Sequence, residues 1–470
     1  MFEDIYFLNP EEALRVAKEQ NRWGANGYYL QACYYEGERI ESDLPNLLHL
    51  PLENMVHDLA FGSNRIPTKI DFTGLDLSSD VKLSVLQSFN ASMHQAQMAR
   101  DELNRGYHLK LLNAKLDFSE PLRCYLMAST STQVMQFVSK NLAHALEKIG
   151  CEVLFDLFYG IEESSSLKKM AEFNPHIFIN INHLNNGFLN NEIFNIVWFQ
   201  DPMPILSDDS KIGLRSRDII YSLSSMIMEK KFAPHMYEIQ RFCVNRELFF
   251  RDESIPKEEK VVFIGSSHKA ILEKDIQNPR LFELYVLLKA RLDNAEPITK
   301  EYVMELSKEY GVAFYDILLT PFAMAVREAC VEWICKQQKL PVEVYGRYWE
   351  NNPVVAPFYK GEIPHGDKVA KIYNGAKYAL VAHSFDMYQQ RLPEMAACGT
   401  IPLSYNAVGM TEESYEYESS TLLFRTYDEL VALMGKEPQE SVERIAEDMS
   451  FEHFANRIVA TVKERLENGR

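Results

Sequence analysis

The chain has 470 residues, 46% hydrophobic and 12% aromatic, which is too many for one ordinary core and excludes a disordered chain. Its formal net charge of −18 excludes a general nucleic-acid binder, which needs basic surface to displace counterions. A small local basic patch for an anionic ligand remains compatible with that balance.

The N-terminus, MFEDIYFLNPEEALRVAKEQ, carries early acids and no apolar h-region, so it does not read as a secretory signal. A helix opens at Pro10, residues 28–35 read as a strand or an aromatic-rich helix, and apolar spacing predicts a long helix over 82–107. No chemistry attaches to residues 1–120. They form an accessory region for packing, acceptor recognition or oligomerisation.

From Arg123 onward, strands and helices alternate. Apolar strands are predicted at 124–128, 151–155, 175–181, 193–199 and 218–222, with helices at 134–149 and 164–173. Gly150 is expected to stop the first of these helices. A charged stretch, 251–259, links to a second series. That series has a strand at 261–265, helices at 279–293, 299–310 and 320–337, a strand at 342–346 and a helix at 367–376. Strands at 378–382, 401–403 and 422–424 follow, then helices to the C-terminus. Such alternation means parallel sheets with right-handed crossovers. The expected division is an accessory region at 1–120, Rossmann-like domains at 121–250 and 251–440, and closing helices at 441–470.

Seven cysteines are scattered along the chain, an odd and unclustered set that reads as reduced thiols in a cytoplasmic protein. Cys330 and Cys335 are near enough to share a metal, but no second pair accompanies them and they fall in a predicted helix, so they read as packing residues. No apolar run is long enough to predict a transmembrane helix.

In open α/β sheets, ligands bind outside the carboxyl ends of the strands, and four such ends carry polar groups. Ser129-Thr130-Ser131-Thr132 suits a phosphate or sugar but equally suits helix capping. Trp198-Phe199-Gln200-Asp201-Pro202 presents a carboxylate that could take a hydroxyl proton or simply sit in a turn before proline. Gly265-Ser266-Ser267-His268 lets a phosphate approach the backbone. Tyr345-Gly346-Arg347-Tyr348-Trp349 offers a guanidinium for the same charge, or a surface arginine beside packed aromatics.

The densest segment is 378–406, YALVAHSFDMYQQRLPEMAACGTIPLSYN. It reads as strand, polar loop, short helix and strand, with Arg391 and Glu394 on nearly one helix face. Those two form either a shared site or a plain surface ion pair. A carboxylate near a helix start, beside a polar loop, suits the hydroxyls of a ribose.

The run Glu394-Met395-Ala396-Ala397-Cys398-Gly399-Thr400-Ile401-Pro402 resembles the donor-binding end of GT-B glycosyltransferases, group 1 type and spore-maturation-protein-like. Asp386, with seven residues between it and Glu394, stands where that family has its first carboxylate, usually Glu. The Asp201 run and the Gly265 and Gly346 turns resemble its cleft and donor-phosphate segments. The resemblance covers about 123–457. It implies an α/β GT-B fold, two Rossmann-like domains facing across a cleft, with an extra N-terminal accessory region. It also implies sugar transfer from a nucleotide-diphosphate sugar to a protein, glycan or small-molecule acceptor in bacterial surface or protein glycosylation.

The donor side would then comprise Gly265, Ser266, Ser267, Gly346, Arg347, His383, Asp386, Tyr388, Gln390 and Glu394. Asp201 and Arg391 would be catalytic, and Arg391, Arg347 and the N–H groups of the Gly265 turn would stabilise the leaving diphosphate. The chain contains no Asp-x-Asp pair, which fits metal-independent chemistry with no cofactor beyond the donor. His176, His235 and His365 lack metal-ligand spacing and read as structural. The expected partners are a nucleotide sugar and a protein or glycan acceptor, with a homo-oligomer possible. Two rival functions share the fold: a non-catalytic nucleotide-sugar-binding or scaffold protein, and a sugar-nucleotide epimerase.

Overall fold

The computed structural model describes residues 4–468 except 25–30, 63, 130–132, 159–164, 202, 208–212, 229–231, 233–235, 269–278, 386 and 412–413. It divides into two compact units, Met1–Gln240 with Ala455–Arg470, and Arg241–Phe454.

The first unit holds two parallel sheets. The N-terminal one comprises β1 (Ile5–Phe7), β2 (Cys33–Tyr35), β3 (Leu47–His49) and β4 (Lys69–Asp71), in the order β3-β2-β1-β4. Alternation along these strands sends Tyr6 and Tyr34 to one face. There they pack with Leu59 of helix Met55–Phe61 and Phe89 of helix Ser79–Leu112. Phe7, Cys33 and Tyr35 go to the other face, against Ala13 and Ala17 of helix Pro10–Gly24. The accessory region is therefore a small parallel sheet covered on both sides. Of the ambiguous stretch 28–35, Cys33–Tyr35 is strand, and 25–30 lie outside the described residues.

The second sheet comprises β5 (Arg123–Ser129), β6 (Glu152–Phe158), β7 (Ile177–Ile181), β8 (Phe194–Phe199), β9 (Asp218–Ser222) and β10 (Tyr237–Ile239), in the order β10-β9-β8-β7-β5-β6. Every residue of β8 and β9 is buried, as expected of central parallel strands covered on both faces. Gly150 stands at φ +91°, a conformation open to glycine, just past helix Gln133–Lys148. Helix Phe451–Glu467 returns to this sheet, where Arg457 Nη1 donates to Ile239 O at 2.7 Å.

The second unit is built on β11 (Glu258–Ile264), β12 (Val342–Tyr345), β13 (Ala376–Val381), β14 (Ile401–Tyr405) and β15 (Leu422–Phe424). All pairs are parallel, in the order β12-β11-β13-β14-β15. The order reverses direction next to β11, so the gap between the ends of β11 and β13 is a topological switch point, where open α/β sheets bind ligands. With its second Rossmann-like sheet here and one in the first unit, the chain has the α/β architecture the alternation predicts, plus the extra N-terminal sheet.

The helix predicted at 320–337 starts earlier and is not regular. Phe314–Ile317 is α-helical, Leu318–Phe322 makes a π-helical turn, and Ala323–Lys336 resumes the α-helix. Pro321 has no N–H for the carbonyl of Ile317, so the ladder widens there. Ser384 Oγ, from the loop after β13, donates to Leu318 O at 3.1 Å. Cys330 and Cys335 are buried in this helix as packing residues. Among the described residues no helix is long and apolar enough to cross a membrane.

Candidate functional site

A cavity of about 480 Å³ lies at the switch point of the second unit, lined by the ends of β11 and β13 and by the helices that start or pass there. Its floor depends on two glycines. Gly346, after β12, has φ +126°, and a Cβ there would stand 2.3 Å from Gly265 O. Only glycine permits that approach. Trp349 Nε1 donates to the same Gly265 O at 2.6 Å, with its buried ring edge-on to Phe263. The two strand-end turns are thus locked together.

That locking consumes the backbone donors. Gly265 N–H donates to Tyr345 O and Ser267 N–H to Arg347 O, both at 2.9 Å. The expectation that the N–H groups of this turn meet phosphate is corrected at those two positions. Ser267 also points away from the cavity, its buried hydroxyl donating to Glu328 Oε1 at 2.6 Å. Ser266 lines the cavity, and its backbone carbonyl accepts from Arg327 Nη1 at 3.3 Å.

Arg327 supplies the cationic wall. It projects from helix Ala323–Lys336, most of whose residues are apolar and buried. His268 Nε2 lies within hydrogen-bond reach of its guanidinium. Since arginine can only donate, His268 accepts as a neutral ring with its proton on Nδ1. Burial first, and then the charge of Arg327, push His268 down to about 4. His383, at the end of β13, is pushed further, to about 3, by burial and then by Arg327 and His268. His383 Nδ1 is buried with no hydrogen-bond partner among the described residues.

Arg391, at the start of helix Arg391–Ala397, forms the second cation. Burial opposes its charge, but Tyr373 and Glu394 prevail and hold it above the ordinary arginine value. Burial, then the nearby Arg391, lower Arg327 to about 10, with Glu328 opposing, so both guanidiniums are charged at neutral pH. Glu394 is 3% exposed. Its Oε1 lies 2.9 Å from His365 Nε2, while Oε2 and Arg391 Nη1 are buried without partners among the described residues. Glu394 offsets the charge of Arg391, but Glu328 does not fully offset burial and Arg391 at Arg327, so a further anion between the two guanidiniums would be favourable. The half-satisfied carboxylate beside them suits a donor such as a hydroxyl. The cavity is therefore matched to a ligand carrying both an anionic group and hydroxyls.

The two histidines carry a pH consequence. Their folded-state pKa values of about 4 and about 3 lie below the ordinary value near 6.5. The unfolded chain therefore binds more protons as pH falls below about 6.5, and stability drops. Between pH 7 and pH 5 the loss is expected to be about 2 kcal/mol per histidine. Urea melts at the two pH values should show it, and His383→Gln should remove its share. An unchanged difference in that variant would assign the acid sensitivity elsewhere.

Of the residues expected on the donor side, Gly265, Ser266, His383, Gln390 and Glu394 line this cavity, together with Arg391, expected to be catalytic. Because Glu394 is buried, its proximity to Arg391 is not a surface ion pair. Gly346 acts beneath, by admitting Gly265. Arg347 is not in the cavity lining: its side chain is exposed and its Nε donates to Glu362 Oε2 at 2.9 Å. Tyr388 is also outside, buried under the Arg241 guanidinium, and its hydroxyl accepts from Glu416 N–H at 3.0 Å. Asp386, Thr130 to Thr132, Pro202 and His235 fall outside the described residues.

Asp201 stands in the first unit, exposed, with Asn182 Nδ2 donating to its Oδ2 at 2.7 Å. Asn182 Oδ1 in turn accepts from the N–H groups of Gln200 and Asp201. His176 is buried, with Nδ1 accepting from Arg123 N–H at 2.9 Å, a structural role. His365, read as structural from sequence, instead lines the cavity against Glu394. Arg327 was not singled out from sequence. The available signal was an adjacent pair of charges, Arg327-Glu328, inside the otherwise apolar run 321–331.

Residues 327–463 match a family model described as glycosyl transferase-like. No curated protein matches the chain. Solved structures similar to it include AviGT4, a glycosyltransferase involved in avilamycin A biosynthesis, at 13% identity over 74% of this chain and 99% of that one, TM-score 0.46. A sucrose-phosphate synthase from Thermosynechococcus elongatus matches at 11% identity over 74% and 100%, TM-score 0.43. A glycosyltransferase from Rickettsia africae matches at 10% identity over 74% and 100%, TM-score 0.46.

Proposed function

We propose that this chain, whose residues 327–463 match a glycosyl transferase-like family model, is an enzyme that moves a sugar from a nucleotide-diphosphate sugar to an acceptor without a metal ion. The observation that carries this reading is the grouping of Arg327, Arg391 and the half-satisfied Glu394 in one cavity at the switch point of the second unit. Glu394 Oε2 accepts ribose hydroxyls. Arg327 and Arg391 take the diphosphate, whose charge grows as the bond from the anomeric carbon to the phosphate oxygen breaks. His383, neutral at physiological pH, adds a hydrogen bond at the end of β13. Ser266 and Gln390 complete the donor pocket. Asp201, oriented by Asn182, receives the proton of the acceptor hydroxyl. The acceptor is a protein, glycan or small molecule, in bacterial surface or protein glycosylation in the cytoplasm. The N-terminal sheet serves acceptor choice or homo-oligomer assembly.

A thermal-shift panel of nucleotide sugars, followed by product analysis, tests this. A ligand at about 100 times its dissociation constant adds about 2.7 kcal/mol, so the matching donor should raise the melting temperature and release nucleoside diphosphate on turnover. Binding without any turnover would favour a binding protein, and a new sugar isomer formed without acceptor would favour an epimerase.

Turnover should also survive EDTA. The support is the missing Asp-x-Asp pair and the two guanidiniums in the position where charge develops. Loss of activity on chelation, restored by Mg²⁺ or Mn²⁺, would overturn the metal-independent part.

A further inference from the structure

A second cavity, about 440 Å³, lies within the first unit where helices Met55–Phe61 and Ser79–Leu112 meet helix Ser165–Phe173. It joins the N-terminal sheet to the sheet of β5 to β10. One wall is a single helical face carrying Arg100, Asn104 and Tyr107, at helical spacing. Opposite stand Lys168 and Glu172, one turn apart. Phe61 completes the lining with 62% of its surface exposed.

Each wall has a definite character. Arg100 is only 2% exposed. Its Nη2 donates to Leu59 O and, at 2.8 Å, to Asn64 O, which fixes the guanidinium at the end of helix Met55–Phe61. Lys169, also in the lining, is held by Asp156 at 2.6 Å, whereas Lys168 is exposed. Two aromatic rings beside an amide, a carboxylate and fixed or mobile cations match a saccharide. Its C–H face stacks on a ring and its hydroxyls meet the polar groups. With Lys169 neutralised by Asp156, Arg100 and Lys168 stand against Glu172 alone; that local positive excess, in a chain of net charge −18, favours a saccharide that is itself acidic.

We propose that this cavity binds a segment of an acidic glycan. Naming that glycan as the acceptor rests on the transferase reading, whereas binding at this place does not.

The test uses the full chain with two defined probes, an acidic hyaluronan tetrasaccharide and neutral chitotetraose. Calorimetry and saturation-transfer NMR would follow each, and UDP, GDP and ADP would report separately on the other cavity. The acidic tetrasaccharide should bind more tightly than the neutral one. Phe61→Ala, at an exposed position, should weaken it about tenfold, and Lys168→Glu should weaken it by a similar factor. Nucleotide affinity should stay unchanged in both variants. Binding of neither tetrasaccharide, or binding indifferent to both substitutions, would overturn the assignment. Failure of every nucleotide to bind, with saccharide binding intact, would count against the transferase reading and leave this site standing.

Discussion

Arg391→Ala should lower kcat by about 10²–10³-fold, more than it lowers affinity for the intact nucleotide sugar. The guanidinium is charged in spite of burial, held by Tyr373 and Glu394, with one buried nitrogen unsatisfied among the described residues. Such a donor gains most when the diphosphate takes on the charge of the broken bond, and interactions that strengthen only then appear in kcat. Arg327→Ala should act in the same direction, because the two cations share the cavity and each raises the cost of the other. The double variant should then lose less than the product of the single effects, as expected of groups acting on one anion. Steady-state kinetics on both single variants and the pair would check this. A change confined to KM would reassign Arg391 to ordinary substrate binding.

Glu394→Gln should weaken nucleotide binding by about 10- to 100-fold, the loss of roughly 1.5–3 kcal/mol for a charged hydrogen bond. Gln is preferable to Ala because it keeps the shape of the side chain and an oxygen for His365. Ala would leave Arg391 and His365 facing a void as well, and would mix a stability defect with the binding defect. Calorimetry with the best nucleoside diphosphate measures it. Unchanged affinity in a variant with a wild-type melt would remove Glu394 from the site.

The two longer sheets were legible because their strands are buried on both faces and read as apolar runs: Asp218–Ser222 and Leu422–Phe424 coincide with their predicted spans. The N-terminal sheet was not: its strands are only three residues each, too short for alternation to register, and unlike Leu422–Phe424 they do not continue a series of longer apolar strands. At the cavity, Glu394, Arg391, His383 and the Gly265 turn were readable because they sit in one local strand–loop–helix pattern or directly after a strand. Arg327 and His365 were not, because each reaches the cavity through tertiary packing. Arg327 arrives from a helix that passes a π-turn at Pro321, and His365 from a loop 29 residues before Glu394. Arg347 shows the converse. Its neighbour Gly346 belongs to the locked turn, yet the side chain beside it turns to solvent and Glu362.

The central claim is that the cavity between the ends of β11 and β13 holds the diphosphate and ribose of the donor. A crystal structure of the chain with a bound nucleoside diphosphate tests it most directly. The account predicts phosphate oxygens within hydrogen-bond distance of both Arg327 and Arg391, and ribose hydroxyls on Glu394 Oε2. A nucleotide bound elsewhere, or seated here with its phosphates turned away from both guanidiniums, would contradict it.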